Sequence, residues 1–188
     1  MNMLDIKYNV SYKDVVERML DKKIGAIHQG RSEIGPRALG NRSIIFDPRL
    51  PNGKDIVNTV KKREKFRPFA GSVLEEHAHE WFDMIGLKNS PFMTFNLRVN
   101  PDKKKYIPAI IHVDDTCRIQ TVSKQDNLHY YNLIMEFYKQ TNVPMVLNTS
   151  FNLAGDAIVE TVEHAIKTLT KSDMDYVYFA DVHMIVEK

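Results

Sequence analysis

The sequence is poor in the features that mark several protein classes. It has one cysteine, Cys117, so no internal disulfide forms, which fits a reducing compartment such as the cytoplasm. Nearly uncharged runs are short, so no membrane-spanning helix and no membrane partner are expected. The opening MNMLDIKYNV lacks a basic stretch followed by an apolar one and does not read as a secretory signal. No G-x-x-x-x-G-K-S/T follows a strand and no G-x-G-x-x-G opens a βαβ unit, which excludes P-loop and Rossmann-type nucleotide binding. Cysteine and histidine do not fall at zinc spacing. His77 and His79, two apart on an expected helix, point in different directions and read as surface or interface residues. No motif surrounds Cys117, which reads as a small buried apolar residue.

What is there suits one globular domain spanning 1–188. Hydrophobic residues make up 43% and charged residues 27%, enough for a real core. The net charge of +2 argues against a general nucleic-acid coat. Its distribution matters more: residues 31–67 hold ten of the 26 Lys and Arg but four of the 24 acids, so this segment is +6 and the remainder −4. A local excess suits a phosphate-bearing small ligand, and arginines outnumber lysines six to four within it. The alternative is a solvated basic face.

Hydrophobic periodicity predicts an α/β (α+β) protein. A capping box from Ser11 to Asp14 opens a helix with Val15, Val16, Met19 and Leu20 inward. Strands are expected at 24–28, 43–46, 69–74, 92–99 and 144–148, with one or two over 106–122 and closing strands over 176–186. Pro36 and Gly40 suggest a single helical turn between them. Helices are expected at 54–63, 75–84, 127–139 and 162–171, the third capped by Asn127.

Four clusters carry donors suited to an anion. In QGRSEIGPRALGNRS (29–43), glycines at 30, 35 and 40 permit close backbone approach, while Arg31, Arg37, Arg42 and Ser43 supply donors. A structural loop tied to Glu33 and Asp47 is the even alternative. In KKREKFRPFAGS (61–72), cations run into an apolar strand. The helix dipole accounts for Lys61 to Arg63 but poorly for Arg67 and Ser72. In HVDDTCRIQT (112–121), alternation puts Thr116, Arg118 and Gln120 on one face and Cys117 and Ile119 on the other. A solvated strand face is the alternative. NTSFN (148–152) follows a buried strand, where open α/β sheets place ligands and where turn residues also gather.

At these residues the sequence resembles a known family. GRSEIGPRALGNRSI, DPR, KKREKFRPFAGSVLEE, HVDDTCRIQTV and NTSFN, in this order, are similar to the C-terminal domain of the O-carbamoyltransferases, which include nodulation-factor and antibiotic enzymes. The likeness runs from about Ile24 to the end. It implies a YrdC-like twisted mixed sheet with helices and a concave basic face. It also implies an activity: carbamoyladenylate is made from ATP and carbamoyl phosphate, and a domain of actin-like fold passes the carbamoyl group to a hydroxyl acceptor. No counterpart of that N-terminal domain is read in this chain: the sequence is a fragment, a separate actin-like-fold subunit is its partner, or the activity has drifted, and in each case the metal site of that domain is not carried over.

Carried over residue by residue, Arg37, Arg67 and Arg118 are the expected catalytic residues. Arg42, Ser43, Lys65, Asn148, Ser150 and Asn152 are the expected nucleotide-binding residues. ATP enters with Mg²⁺, for which Asp114 is the first carboxylate to consider. Gly71 stands where the family usually has proline, which leaves that strand entry less rigid. A non-catalytic nucleotide- or RNA-binding module is the alternative, disfavoured because Phe66, Phe69 and Phe151 read as apolar or turn residues rather than stacking platforms. A subunit that only docks a partner through Trp81 and Phe82 is another, although both read more readily as core anchors.

Overall fold

The computed structural model describes residues 4–188, so the first three residues of the stretch read for a leader lie outside it. Nine strands form one sheet: β1 (Asp5–Lys7), β2 (Gly25–His28), β3 (Arg42–Phe46), β4 (Ala70–Leu74), β5 (Asn96–Arg98), β6 (Thr116–Val122), β7 (Met145–Ser150), β8 (Tyr176–Phe179) and β9 (Met184–Glu187). Their spatial order is β1-β9-β8-β2-β3-β7-β4-β6-β5. β2 pairs in parallel with β8, and β4 with β6; the other pairings are antiparallel. The sheet is therefore mixed, as expected for an α/β chain.

Helices α1 (Tyr12–Leu20), α2 (Gly53–Val60), α3 (Ala78–Trp81), α4 (Leu128–Thr141) and α5 (Val162–Lys171) accompany it. The Ser11–Asp14 capping box is formed, and Asn127 caps α4 through the Tyr130 amide. α1 buries Val15, Val16 and Met19 and packs against α4, which itself contacts β7 and β4 through a row including Tyr130, Leu133, Ile134 and Phe137. β2, β3, β4 and β8 are buried along their whole length, as their near-continuous apolar runs require. Trp81, Phe82 and Cys117 lie in this core, so the first two are anchors and not an exposed docking patch.

Several elements differ from expectation. β1 is exposed at all three positions, so no hydrophobic alternation announces it. The 75–84 segment is a 3₁₀ turn followed by the short α3, because Phe82 turns extended and bridges Val99. β5 is three residues long, and Met93 with φ +54° breaks the run before it. Residues 36–39 make no helical turn. The Glu33 carboxylate there accepts the amides of Leu39 (2.8 Å), Asn41 (3.0 Å) and Arg42 (3.1 Å), which pulls the loop into a nest around an internal anion. Gly40, at φ +107°, closes this nest against α4: a Cβ on it would meet the Tyr130 ring at 2.3 Å. Gly71 answers a packing need, since a Cβ there would sit 2.8 Å from Ile110 Cδ1.

Candidate anion-binding site

The register of the central strands builds the site. Ala70 at the start of β4 is paired with Arg118 on β6 and with Asn148 on β7. These three positions form one row across the sheet, where β4 and β6 begin and β7 ends. Above the row lies a hollow of about 430 Å³, walled by Arg37, Arg63, Arg67 and Arg118 together with His112, Asn148 and Ser150. Four guanidiniums from three separate stretches of the chain therefore converge. Among the described residues no carboxylate lines the hollow.

The cations feel one another. Burial lowers the Arg118 pKa, and Arg37 adds to the effect. Arg63 is pushed down to about 10 by burial and then by Arg67. Burial is the larger cause of both shifts, the neighbouring arginine adds to each, and Glu64 offsets part of the shift at Arg63; an anion in the hollow would relieve the remainder. Arg63 is also held firmly. Its Nε donates to Asn58 Oδ1 at 2.6 Å, and its guanidinium lies 4.5 Å over the Phe69 ring. One of its terminal nitrogens is buried without a partner. Asn58, fully buried on α2, donates its amide to the carbonyls of Lys65 and Arg67, both at 3.1 Å, and so staples the 63–67 loop to the helix.

Behind the hollow, Lys61 is 3% exposed. Its ammonium donates to Ser150 O (2.5 Å), Asn152 O (2.8 Å) and Asn152 Oδ1 (3.0 Å), and Ser150 Oγ in turn donates to Asn152 Oδ1 at 2.7 Å. Burial pushes this lysine down to about 7, and Arg63 and Arg67 push in the same direction. His112 is fixed with one ring nitrogen 3.0 Å from Phe69 O and the other 3.3 Å from Thr116 Oγ1. The floor is an amide network: Asn148 Nδ2 donates to Ala38 O and Ser72 Oγ, Ser72 donates to Gln120, and Gln120 donates to Leu39 O, while Asn148 Oδ1 is buried without a partner.

The sequence-derived residues divide. Arg37, Arg67, Arg118, Asn148 and Ser150 meet at the hollow. Arg42 does not: it is 3% exposed, and its guanidinium donates to the carbonyls of Gln29, Gly30, Asn41 and Glu160. It cross-braces the arginine-rich loop. Ser43 is buried and accepts the Gly40 amide, Lys65 points to solvent, and Asn152 stands behind the hollow as a partner of Lys61. Asp114 accepts from Thr116 at a turn outside the hollow, which lowers its pKa. The described residues hold no cluster of three metal-ligating side chains, so the hollow does not fit a protein-held magnesium ion.

Lys61, Arg63, Asn58 and His112 are site residues that the sequence reading passed over. The K-x-R spacing before the strand was the available signal for the first two, and the helix dipole explained it away. Phe69 and Phe151 are buried as expected, but Phe66 is 79% exposed beside Arg67.

A mixed sheet with a cationic hollow across three neighbouring strands defines a domain of YrdC-like fold. Its likeness to solved structures agrees: HypF from T. kodakarensis (TM-score 0.63, 16% identity, 93% of this chain and 22% of that one) and Sua5 from P. abyssi complexed with L-threonine (TM-score 0.61, 11% identity, 88% and 45%). Full-length HypF in a phosphate- and nucleotide-bound form matches with a TM-score of 0.59 at 16% identity over 93% of this chain and 24% of that one. These identities speak for the fold alone.

The chain belongs to the carbamoyltransferase C-terminus family, whose description matches residues 16–187. It is 52% identical to the nodulation protein NolO of Bradyrhizobium diazoefficiens over 78% of its own length, and 50% identical to NolNO of Sinorhizobium fredii over the same share. The matched region is 27% and 22% of those relatives, so the chain spans about a quarter of their length. Among the described residues no helix is long and apolar enough to cross a membrane.

Proposed function

We propose that this chain makes carbamoyladenylate from ATP and carbamoyl phosphate, for transfer to a hydroxyl acceptor by a separate transferase domain of actin-like fold. The observation that carries this reading is the convergence of Arg37, Arg63, Arg67 and Arg118 on one carboxylate-free hollow backed by the Lys61 ammonium. Family membership supports it, and so does the phosphate and nucleotide named for the HypF neighbour.

The chemistry asks for charge more than for a nucleophile. Carbamoyl phosphate reacts with water to give carbamate and phosphate. A carbamate oxygen then bonds to the α-phosphorus of ATP while the bond to the β-phosphate bridging oxygen breaks and pyrophosphate leaves. Two polyanions must be held side by side, and four guanidiniums offset their repulsion. The Asn58 staple and the Phe69 ring fix Arg63 before the ligand arrives, so little reorganisation remains. A walled hollow also limits the water that decomposes free carbamate. Any magnesium would arrive on the nucleotide's own phosphates, where it would supply further charge neutralisation beside the guanidiniums.

The test is pyrophosphate release from ATP by the purified chain, with and without carbamoyl phosphate. Stimulation that Arg118→Ala abolishes is expected. No stimulation, with ATP-independent and salt-sensitive RNA binding instead, would replace this reading with an RNA-binding module.

A further inference from the structure

Of the guanidiniums at the hollow, Arg63 is fixed by Asn58 and the Phe69 ring, and Arg118 stands on β6. Arg37 has neither kind of support. It lies in the 29–43 loop outside any helix or strand, and its guanidinium donates to the oxygen of its own neighbour, Pro36, at 2.9 Å. Where Arg37 points is therefore set by the main chain that carries it.

The stretch after Arg37 is pinned by amide side chains from three other segments. Asn148 Nδ2 on β7 donates to Ala38 O at 3.0 Å, Gln120 Nε2 on β6 to Leu39 O at 2.8 Å, and Gln29 Nε2 to Gly40 O at 2.7 Å. The stretch before it, Ile34 to Pro36, is exposed, and a Cβ on Gly35 would meet nothing within 4 Å. Glu33 joins the two. Its Oε1 accepts the amides of Leu39 and Asn41, and its Oε2 accepts that of Arg42. Both oxygens are spent on the backbone and not on the Arg37 guanidinium, so the loop gains an acid for its shape while Arg37 keeps its charge for the hollow. Hydrogen bonds to an ionised acceptor are about twice as strong as neutral ones, which suits Glu33 to holding an exposed arch.

We propose that Glu33 is a positioning residue for anion binding: its carboxylate closes the 33–39 arch and so holds the Arg37 guanidinium at the wall of the cationic hollow. The assignment rests on the anion-binding reading of that hollow and adds an acidic residue to its working parts. It predicts an effect of unexpected sign. By charge alone an acid near an anion site opposes binding, and its removal strengthens it. Through Arg37 the reverse holds: without the acid the arch loosens, the guanidinium leaves the wall and binding weakens.

The experiment is calorimetric titration of the whole chain with inorganic tripolyphosphate, in wild type, Glu33→Gln, Arg37→Ala and the double variant, at a temperature below the melting transition of each. Glu33→Gln keeps the size of the side chain, removes its charge and sets an NH₂ group against main-chain N–H donors. It should weaken binding about tenfold, as Arg37→Ala should, because a charge-assisted set of bonds is lost. In the Arg37→Ala background it should weaken binding no further, since the two residues act as one unit. If Glu33→Gln does not fold, Glu33→Asp, which keeps the charge but withdraws the oxygens, takes its place in the same cycle. Weakening by the same factor in both backgrounds would reduce Glu33 to a general structural role and overturn the assignment. So would binding in Glu33→Gln as tight as wild type or tighter while Arg118→Ala still loses affinity, a result that leaves the anion site standing. A wild-type chain that does not bind tripolyphosphate would overturn both.

Discussion

Lys61 and Asn152, 91 residues apart, are joined by two hydrogen bonds: the ammonium donates to the main-chain oxygen at 2.8 Å and to the side-chain oxygen at 3.0 Å. The contact ties the end of α2 to the segment after β7 and places a buried positive charge directly behind the anion hollow. It gives the site both its shape and a titratable element.

Replacing Lys61 with methionine keeps the volume but leaves the carbonyls of Ser150 and Asn152 without their donor. Each lost partner costs about 1–3 kcal/mol, offset in part by removal of a desolvated charge. The expected result is a modest change in melting temperature with a clear loss of tripolyphosphate affinity. Unchanged affinity would show that the ammonium does not contribute to the hollow's field.

Lys61 also makes binding depend on pH. Its pKa falls from 10.5 to about 7 on folding. Between those values the unfolded chain binds a proton that the folded protein does not, so this lysine makes stability rise with pH across that window and burdens the fold fully below about 7. An anion in the hollow favours the ammonium, so binding should take up a proton at pH 8 and weaken as pH rises. Titrations in two buffers of different ionisation heat read this uptake directly, and Lys61→Met should abolish it.

Arg63 and Arg42 should separate function from stability. Arg63→Ala removes an oriented cation from the hollow, with an expected loss of about 2–4 kcal/mol of transition-state stabilisation by analogy with oxyanion donors. Arg42→Ala strips donors from the carbonyls of Gln29, Gly30, Asn41 and Glu160, and should lower stability by roughly 3 kcal/mol or more. Denaturant unfolding and steady-state rates, measured on both variants, test the contrast.

Far from the site, Glu187 anchors the sheet edge. Its carboxylate pairs with Arg18 Nε at 2.7 Å and with Lys7, and the Arg18 hydrogen bond is the main reason its pKa drops to about 2. A depressed carboxylate stabilises above its unfolded value of 4.5 and loses that contribution as pH falls toward 2. Glu187→Gln should therefore cost about 2–3 kcal/mol at pH 7 and almost nothing near pH 2. Melting curves at the two pH values supply the comparison.

Legibility from sequence followed burial and local chemistry. The Ser11 capping box, the Asn127 cap and the buried 144–148 strand were plain because each is a local pattern with a physical cause. β1 was invisible because all its side chains are exposed and its partner β9 lies at the other end of the chain. In the site, Arg37, Arg67 and Arg118 were recognised as anion donors and do converge. Arg42 was grouped with them, since composition does not distinguish a guanidinium facing a ligand from one filled by four carbonyls. Lys61 and Arg63 were assigned to a helix end, because their acceptors, Asn152 and Asn58, become neighbours only through the tertiary fold and the reversal at Lys62 (φ +54°).

The central claim is that the hollow joins carbamate to the α-phosphate of ATP, and pyrophosphate exchange tests it most directly. Radiolabelled pyrophosphate is mixed with ATP and the purified chain, and label entering ATP is followed with and without carbamoyl phosphate. Label should enter ATP only when carbamoyl phosphate is present, and not in Arg118→Ala. Exchange that ignores carbamoyl phosphate, or that persists undiminished in Arg118→Ala, would contradict adenylate formation at these residues.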